Sequence, residues 1–240
     1  MSSLLQHIRR FIVKCIAGTS RQSSTGGTMD IFVVGGHGQI ALRFELQAAE
    51  TGHRVRALAR NPDHRGDIEK NGAEAIISDL ESDDITSLVR GSDVVVFAAG
   101  AGPGSGPERK KTVDLGGALK LIDAAKANGI ARYLMVSAMG AGNPSTWSGQ
   151  MRPYYEAKAG ADEALASSGL DYTIVRPGSL TNDPGTGLVD IAPKLERRGK
   201  VPRDDVATAM LASIDAANTI RKTFDVLAGE TPIPEALRSL

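Results

Sequence analysis

Tyr154 and Lys158 stand four residues apart, so on a helix they share one face. A lysine cation beside a phenol favours the phenolate and lowers the phenol pKa from roughly 10. A tyrosine so tuned can pass a proton to or from a carbonyl or alcohol oxygen. Tyr155 meets only Ala159 at that spacing, which makes Tyr154 the better candidate. Pro153, just upstream, suits a first helical turn. Asp114 is a third candidate. It shares a helical stripe with Ala118, Leu121, Ile122 and Ala125. A carboxylate on such a core-facing stripe needs partners. Holding backbone donors or a water near the reacting end, and a purely structural buried role, are both open for it. Tyr-x-x-x-Lys is also a common accident of helices, so the surrounding elements must carry the case.

Those elements begin with residues 30–41, Asp-Ile-Phe-Val-Val-Gly-Gly-His-Gly-Gln-Ile-Ala. An apolar run ends in Gly35 and Gly36, then His37, Gly38, Gln39 and Ile40 lead into an amphipathic stretch. This reads as strand, tight turn and helix start, the arrangement that cradles a dinucleotide pyrophosphate. Glycine tolerates positive φ and lets backbone N–H groups approach phosphates closely. The helix N-terminus adds unpaired donors and a partial positive charge. Ala41 stands where a third glycine is often found, a tolerated variation. His37 reads as a turn residue offering its backbone N–H rather than as a proton carrier.

From Met29 onward apolar strands and helices alternate. Strands are predicted at 31–34, 54–59, 75–78, 94–98, 133–136, 172–176 and 224–227, and helices at 39–50, 63–70, 84–90, 109–127, 154–168 and 204–216. Several strands are continuously apolar, as in parallel sheets covered on both faces. Gly52, Gly72, Gly91, Gly129 and Gly169 each stand before a strand, where a left-handed residue stops a helix. The fold class is therefore α/β: one doubly wound domain with a mainly parallel sheet, over residues 29–240. Two Gly- and Pro-rich stretches, 100–107 and 178–203, read as irregular loops over the carboxyl edge of the sheet, where such folds bind ligands. The pair Tyr154 and Lys158 falls between the fifth and sixth strands, within reach of that edge.

Several positions would choose the coenzyme. Arg60 directly follows the second strand, where an acidic residue would hold a ribose 2′-hydroxyl and an arginine suits a 2′-phosphate. His64 and Arg65 add positive charge nearby. A solvated loop arginine is the plain alternative. Asp79 and Leu80 close the third strand beside the expected adenine position, where the carboxylate can accept from the exocyclic amine. Ala98, Ala99 and Gly100 end the fourth strand with side chains small enough for a ligand to lie on the backbone. Lys158 can also bind nicotinamide ribose hydroxyls.

The chain has 240 residues, 28 basic and 28 acidic. That balance suggests neither nucleic acid nor an anionic membrane as a partner. Cys15 is the only cysteine, so no intrachain disulfide forms and a reducing compartment fits. No apolar run approaches the roughly 20 residues that span a bilayer. Residues 1–28 lack Asp and Glu and carry Arg9, Arg10, Lys14 and Arg21. They are expected to be a disordered extension, with organelle targeting as the alternative. The cytoplasm is the expected location, and a small molecule the expected partner. No metal site is expected.

Taken together, Gly35 to Ala41, Arg60, Asp79-Leu80, Ala98 to Gly100, the Leu121 to Ala125 helix, Met135-Val136-Ser137 and Val175 to Gly178 resemble the atypical short-chain dehydrogenases/reductases. These are NAD(P)-binding proteins close to the NmrA-like and NAD-dependent epimerase/dehydratase-like groups. The resemblance covers Met29 to the end. It implies a single-domain Rossmann fold, a preference for NADP over NAD, a nicotinamide side lined by Pro177, Gly178 and Leu180, and a cofactor contact at Val136. Active members use Asn, Ser, Tyr and Lys together. Here Asp114 stands at the Asn position, and Ala138 and Met139 fall where the hydroxyl is usual, close after Ser137. A missing polarising hydroxyl would cost a carbonyl one hydrogen bond. About 60 residues follow the sixth strand, too few for a nucleotide-sugar domain of the extended branch. The implied activity is an oxidoreductase acting on a small or hydrophobic carbonyl, quinone or flavin. A nucleotide-sensing binding protein, and an epimerase or dehydratase with a tightly held cofactor, stay open.

Overall fold

Four apolar side chains in a row, Ile31 to Val34, point alternately to opposite faces of one strand, and each face is sealed. Ile31 and Val33 join one core cluster, Phe32 and Val34 the other. A strand with two buried faces needs a layer of helices on each side. A computed structural model, which describes residues 27–102 and 104–240, shows that arrangement. The expectations for the extension at 1–28 fall almost wholly outside the described residues.

Strand β1 (Asp30–Val34) runs into helix α1 (Gln39–Glu50), then β2 (Arg54–Ala59), α2 (Arg65–Lys70), β3 (Glu74–Ile77) and β4 (Val94–Phe97). A π-helical turn, Lys110–Gly116, leads into α3 (Gly117–Ala127), followed by β5 (Arg132–Val136), α4 (Arg152–Ala166) and β6 (Asp171–Pro177). The C-terminal part holds β7 (Ser179–Thr181), β8 (Leu188–Ala192), β9 (Lys200–Pro202), α5 (Arg203–Asp215), β10 (Lys222–Ala228), β11 (Thr231–Pro232) and α6 (Ile233–Arg238). The main sheet runs β11-β8-β10-β6-β5-β4-β1-β2-β3. From β3 to β10 every pair is parallel, and β8 closes on β10 antiparallel. This is the doubly wound Rossmann fold.

β1 pairs with β2 on one side and β4 on the other, with Ile31 opposite Val55 and Val94. Chain order therefore reverses at β1, and the crevice beyond its carboxyl end is where doubly wound sheets take ligands. Side chains of α1 and α5 fill the Ile31/Val33 face. Those of α3 and α4 fill the Phe32/Val34 face.

Three expectations need correcting. The predicted helix at 84–90 is instead irregular at 84–85 and a run of turns from 86. Its apolar pair, Ile85 and Val89, is buried as a helix face would be. Local side chains capture the backbone first. The Asp84 carboxylate takes the Thr86 N–H at 2.8 Å, and Lys120 Nζ takes the carbonyls of Leu80 and Asp83 at 2.6 and 2.9 Å. Such bonds compete with the helical ladder. The stretch at 178–203 is not irregular throughout, since it contains β7, β8 and β9. β7 and β9 are short and pair only with each other. Their stability comes from the chain ends they bring together, which leaves little local pattern to read. The predicted helix at 109–127 starts two residues earlier, with the α-helical turn Pro107–Arg109, and passes through the π-helical turn. Among the described residues no helix is long and apolar enough to cross a membrane.

Candidate functional site

The turn after β1 is shaped by its own backbone. Leu58 O accepts from both Gly35 N and Gly36 N, at 3.2 and 2.9 Å, and Gly35 O accepts from Gly38 N at 2.8 Å. Gly35 has φ +87°, and a Cβ there would lie 2.5 Å from Ala99 Cα. Only glycine permits both the conformation and the approach of the β4 end. Gly38 precedes α1 and provides no side-chain cap, so the first-turn amides, those of Gln39 and Ile40 included, face outward uncapped. The first amide of the ladder is that of Leu42, donating to Gly38 O at 2.9 Å. A cradle without side chains, ending in uncapped donors, fits a pyrophosphate. Gly36 differs from its neighbours. A Cβ on it would lie 2.8 Å from Ala57 Cβ and 3.3 Å from Glu45 Oε1, so it faces the interior. Glu45 is fully buried, neither carboxylate oxygen has a hydrogen-bond partner, and burial pushes its pKa up to about 8.

A cleft of about 400 Å³ opens beside this turn. It gathers Gly35, His37, Gly38, Arg60, Asp79, Leu80, Ala98, Ala99 and Gly100 from the sequence prediction. Asp79 Oδ1 accepts from Glu81 N at 2.9 Å, so one of its oxygens is engaged in the turn. The His37 ring is stacked on His64 with centroids 3.5 Å apart, and its Nε2 lies 2.9 Å from Asp67 Oδ2. That contact holds the Asp67 carboxyl below its usual range. His37 therefore contributes a ring to the cleft wall as well as its place in the turn.

Among the lining residues absent from the prediction are two charged ones, Glu81 and Arg109. Glu81 Oε2 lies 3.4 Å from Arg60 Nη1 and 3.1 Å from Arg109 Nη2, while Oε1 accepts from the Thr112 hydroxyl at 2.6 Å. The Thr112 hydrogen bond and the two arginines keep the Glu81 carboxyl below the usual range. A search for positive charge around Arg60 in sequence stops at His64 and Arg65. Arg109 arrives from a distant loop, and no local signal marks it.

Lys158 and Asp114 meet at the carboxyl ends of β4 and β5. Lys158 Nζ lies 3.2 Å from Asp114 Oδ1, 3.4 Å from Ala99 O and 3.3 Å from Val136 O. Asp114 Oδ2 accepts from Ala101 N at 3.0 Å. The pair fastens the segment 99–101 to the end of β5. The π-helical turn aims Asp114 there.

The expected lowering of the Tyr154 pKa is reversed in direction. The lysine charge is spent on Asp114 and two carbonyls. Burial pushes the Tyr154 pKa up, and the Asp114 carboxylate acts in the same direction. Lys110 Nζ lies 5.5 Å from the centre of the Tyr154 ring. Tyr155 sits beside it, ring centres 5.3 Å apart, with Trp147 6.4 Å beyond. Trp147 Nε1 donates to Gly140 O at 2.7 Å, which anchors this ring ladder to the loop after β5.

Val136, Pro177, Gly178 and Leu180 do not line this cleft, although Val136 O meets its Ala99 wall through Lys158. Gly178 N donates to Val226 O at 3.1 Å, and a Cβ there would collide with Leu227 and the Gly199 carbonyl. Leu180 pairs with Val201 and packs on the core. Arg176 donates through Nε to Asp162 Oδ2 at 2.8 Å and joins the β6 end to α4. Burial raises the Asp162 pKa despite Arg176 and the Ser137 hydroxyl, which both lower it. Ser137 is itself buried.

Comparison with known proteins agrees with this geometry. The profile of an NAD(P)H-binding family matches residues 35–217. The uncharacterized sugar epimerase YhfK of Bacillus subtilis is 44% identical over 215 residues, covering 88% of this chain and 100% of its own length. The solved structure of a putative NAD-dependent epimerase/dehydratase from Bacillus halodurans superposes with TM-score 0.84 at 39% identity, covering 88% of this chain and 100% of that one. The oxidoreductase ylbE from Lactococcus lactis superposes with TM-score 0.77 at 30% identity, over 88% of this chain and 96% of that one.

Proposed function

The chain belongs to the NAD(P)H-binding family, and within it we propose an NADP(H)-dependent oxidoreductase acting on a small or hydrophobic carbonyl, a quinone or a flavin. The observation that carries this reading is the convergence of Tyr154, Lys158 and Asp114 on the sheet edge beside the glycine turn. Reduced nicotinamide, when bound, supplies a hydride to the acceptor.

The chain's own residues do the rest. Gly35 and Gly38 admit the pyrophosphate, and the first turn of α1 binds it. Arg60 pairs with the 2′-phosphate. Lys158, steadied by Asp114, keeps the β4 and β5 ends together, and it reaches ribose hydroxyls by giving up one of its two long carbonyl contacts. Tyr154 stays protonated, because burial and Asp114 disfavour its anion. It therefore acts as a general acid, giving the phenolic proton to the acceptor oxygen as that oxygen gains charge. The Lys110 cation over its ring offsets the charge left behind. Trp147 and Tyr155 extend an aromatic wall from Tyr154, which suits a flat, unsaturated acceptor.

Titration calorimetry with NADPH and NADH tests the coenzyme half. A panel of carbonyls, quinones and flavins, with Tyr154→Phe as control, tests the chemistry. Unchanged turnover in that variant would remove Tyr154 from the mechanism.

One observation favours a second reading, a nucleotide-sensing binding protein. The Ser137 hydroxyl is buried beside Asp162 rather than open to an acceptor oxygen. Such a protein changes a partner's affinity when NADPH replaces NADP⁺. Equal partner affinity in both states would exclude it.

A further inference from the structure

We propose that Glu81 sets the coenzyme preference by occupying the two arginines that a 2′-phosphate needs. The inference rests on the reading of Arg60 as a phosphate partner. Arg60 leaves the end of β2, and Arg109 ends the short helical turn Pro107–Arg109 beyond the glycine-rich segment. Both reach the same oxygen, Glu81 Oε2, at 3.4 and 3.1 Å. Nothing in the local chain brings these two cations together. The carboxylate does so, inside the cleft.

Glu81 is held for this task. Its N–H donates to Asp79 Oδ1 at 2.9 Å, and its carbonyl accepts from Lys120 Nζ at 3.2 Å. The Thr112 hydroxyl, 2.6 Å from Oε1, fixes the carboxylate plane. The arginines are the movable partners, with side chains 54% and 44% exposed against 27% for Glu81.

Two cations and one anion leave a single net positive charge. A 2′-phosphate carries between one and two negative charges at neutral pH. It must draw at least Arg60 away from Glu81, and it then faces a carboxylate of like charge. A 2′-hydroxyl makes no such demand, and the clasp persists. Glu81 thus weakens NADP(H) selectively and holds the preference below what Arg60 and Arg109 alone would give.

The test is calorimetric titration of wild type, Glu81→Gln, Arg60→Ala and the double variant with NADPH and with NADH. Glutamine keeps an acceptor for Thr112 and removes the charge. The expected result is NADPH binding at least about fivefold tighter in Glu81→Gln, with NADH changed less than about twofold, as two exposed ion pairs allow. The gain should be reduced in the double variant, where only Arg109 is left to be released, and should shrink in 0.5 M salt, where charge is screened. Thermal melts without nucleotide verify that each variant is folded. If Arg60→Ala weakens NADPH but Glu81→Gln does not tighten it, this proposal alone fails. If Arg60→Ala leaves NADPH binding unchanged, the phosphate reading fails and takes the proposal with it. A loss of NADH binding in Glu81→Gln would make the carboxylate a ribose-hydroxyl acceptor and overturn the competition.

Discussion

Lys158 Nζ faces Asp114 Oδ1 at 3.2 Å, with the two side chains only 6% and 1% exposed. Each charge has lost its water and depends on the other. Removing one partner strands a buried charge, at a cost of about 3–5 kcal/mol. Lys158→Met should therefore lower stability by roughly that amount in urea unfolding. The double variant with Asp114→Asn should recover a large part of it. A Lys158→Met protein as stable as wild type would show that water reaches Asp114.

Gly35→Ala combines two penalties. An alanine at φ +87° is strained, and its Cβ would press on Ala99 at 2.5 Å. A loss of about 2–4 kcal/mol is expected, read as a lowered midpoint in thermal or urea unfolding. Gly52→Ala is the control, since it shares a positive φ of 90° but has open space around its Cβ. It should show the backbone penalty alone.

Tyr154→Phe should reduce kcat by about a hundredfold or more on any acceptor found, as loss of a general acid does. NADPH affinity should be unchanged. A kcat that survives the substitution while KM rises would make Tyr154 part of the acceptor wall instead.

Arg60→Ala should weaken NADPH by about ten- to a hundredfold, the scale of a charged hydrogen-bonded pair. NADH should lose less than about threefold. Parallel calorimetric titrations decide it, and equal losses would remove the phosphate assignment.

Glu45 predicts a pH effect on stability. Its pKa rises from the usual 4.5 to about 8 through burial. Between these values the folded chain keeps the proton that the unfolded chain has released. Stability must then fall as pH rises through that window and level off above about 8. Glu45→Gln removes the charge but keeps the shape. It should be more stable than wild type by about 3–5 kcal/mol at pH 8, and nearly equal at pH 4.5. Urea unfolding across the range checks it. Parallel pH profiles for the two proteins would mean that Glu45 ionises in a hydrated pocket.

Much of the scaffold was legible in local patterns. The Ile31–Val34 run, its glycines and the amphipathic start at Gln39 each state a backbone conformation within a few residues. Gly52, Gly72, Gly129 and Gly169 mark helix ends in the same way, and all take positive φ. The segment 84–90 shows where this fails. Ile85 and Val89 keep helical spacing and are buried, yet Lys120 from α3 takes the Asp83 carbonyl that would accept the first helical bond. The pairing of β7 with β9 was hidden for a related reason, because each strand is three residues long and stable only against the other.

The sequence by itself determined the parallel α/β scaffold, the glycine turn, and the placing of Tyr154, Lys158, Asp114 and Arg60 near one sheet edge. These follow from residue period and backbone preference, which act over a few residues. Only the tertiary structure decided how the charges are spent. It set Lys158 against Asp114, and it brought Arg109 and Arg60 to one oxygen of Glu81. Electrostatics and desolvation depend on distance through space. Loops from β2, β3, β4 and β5 converge at the carboxyl edge from remote parts of the chain, so no local window contains those distances.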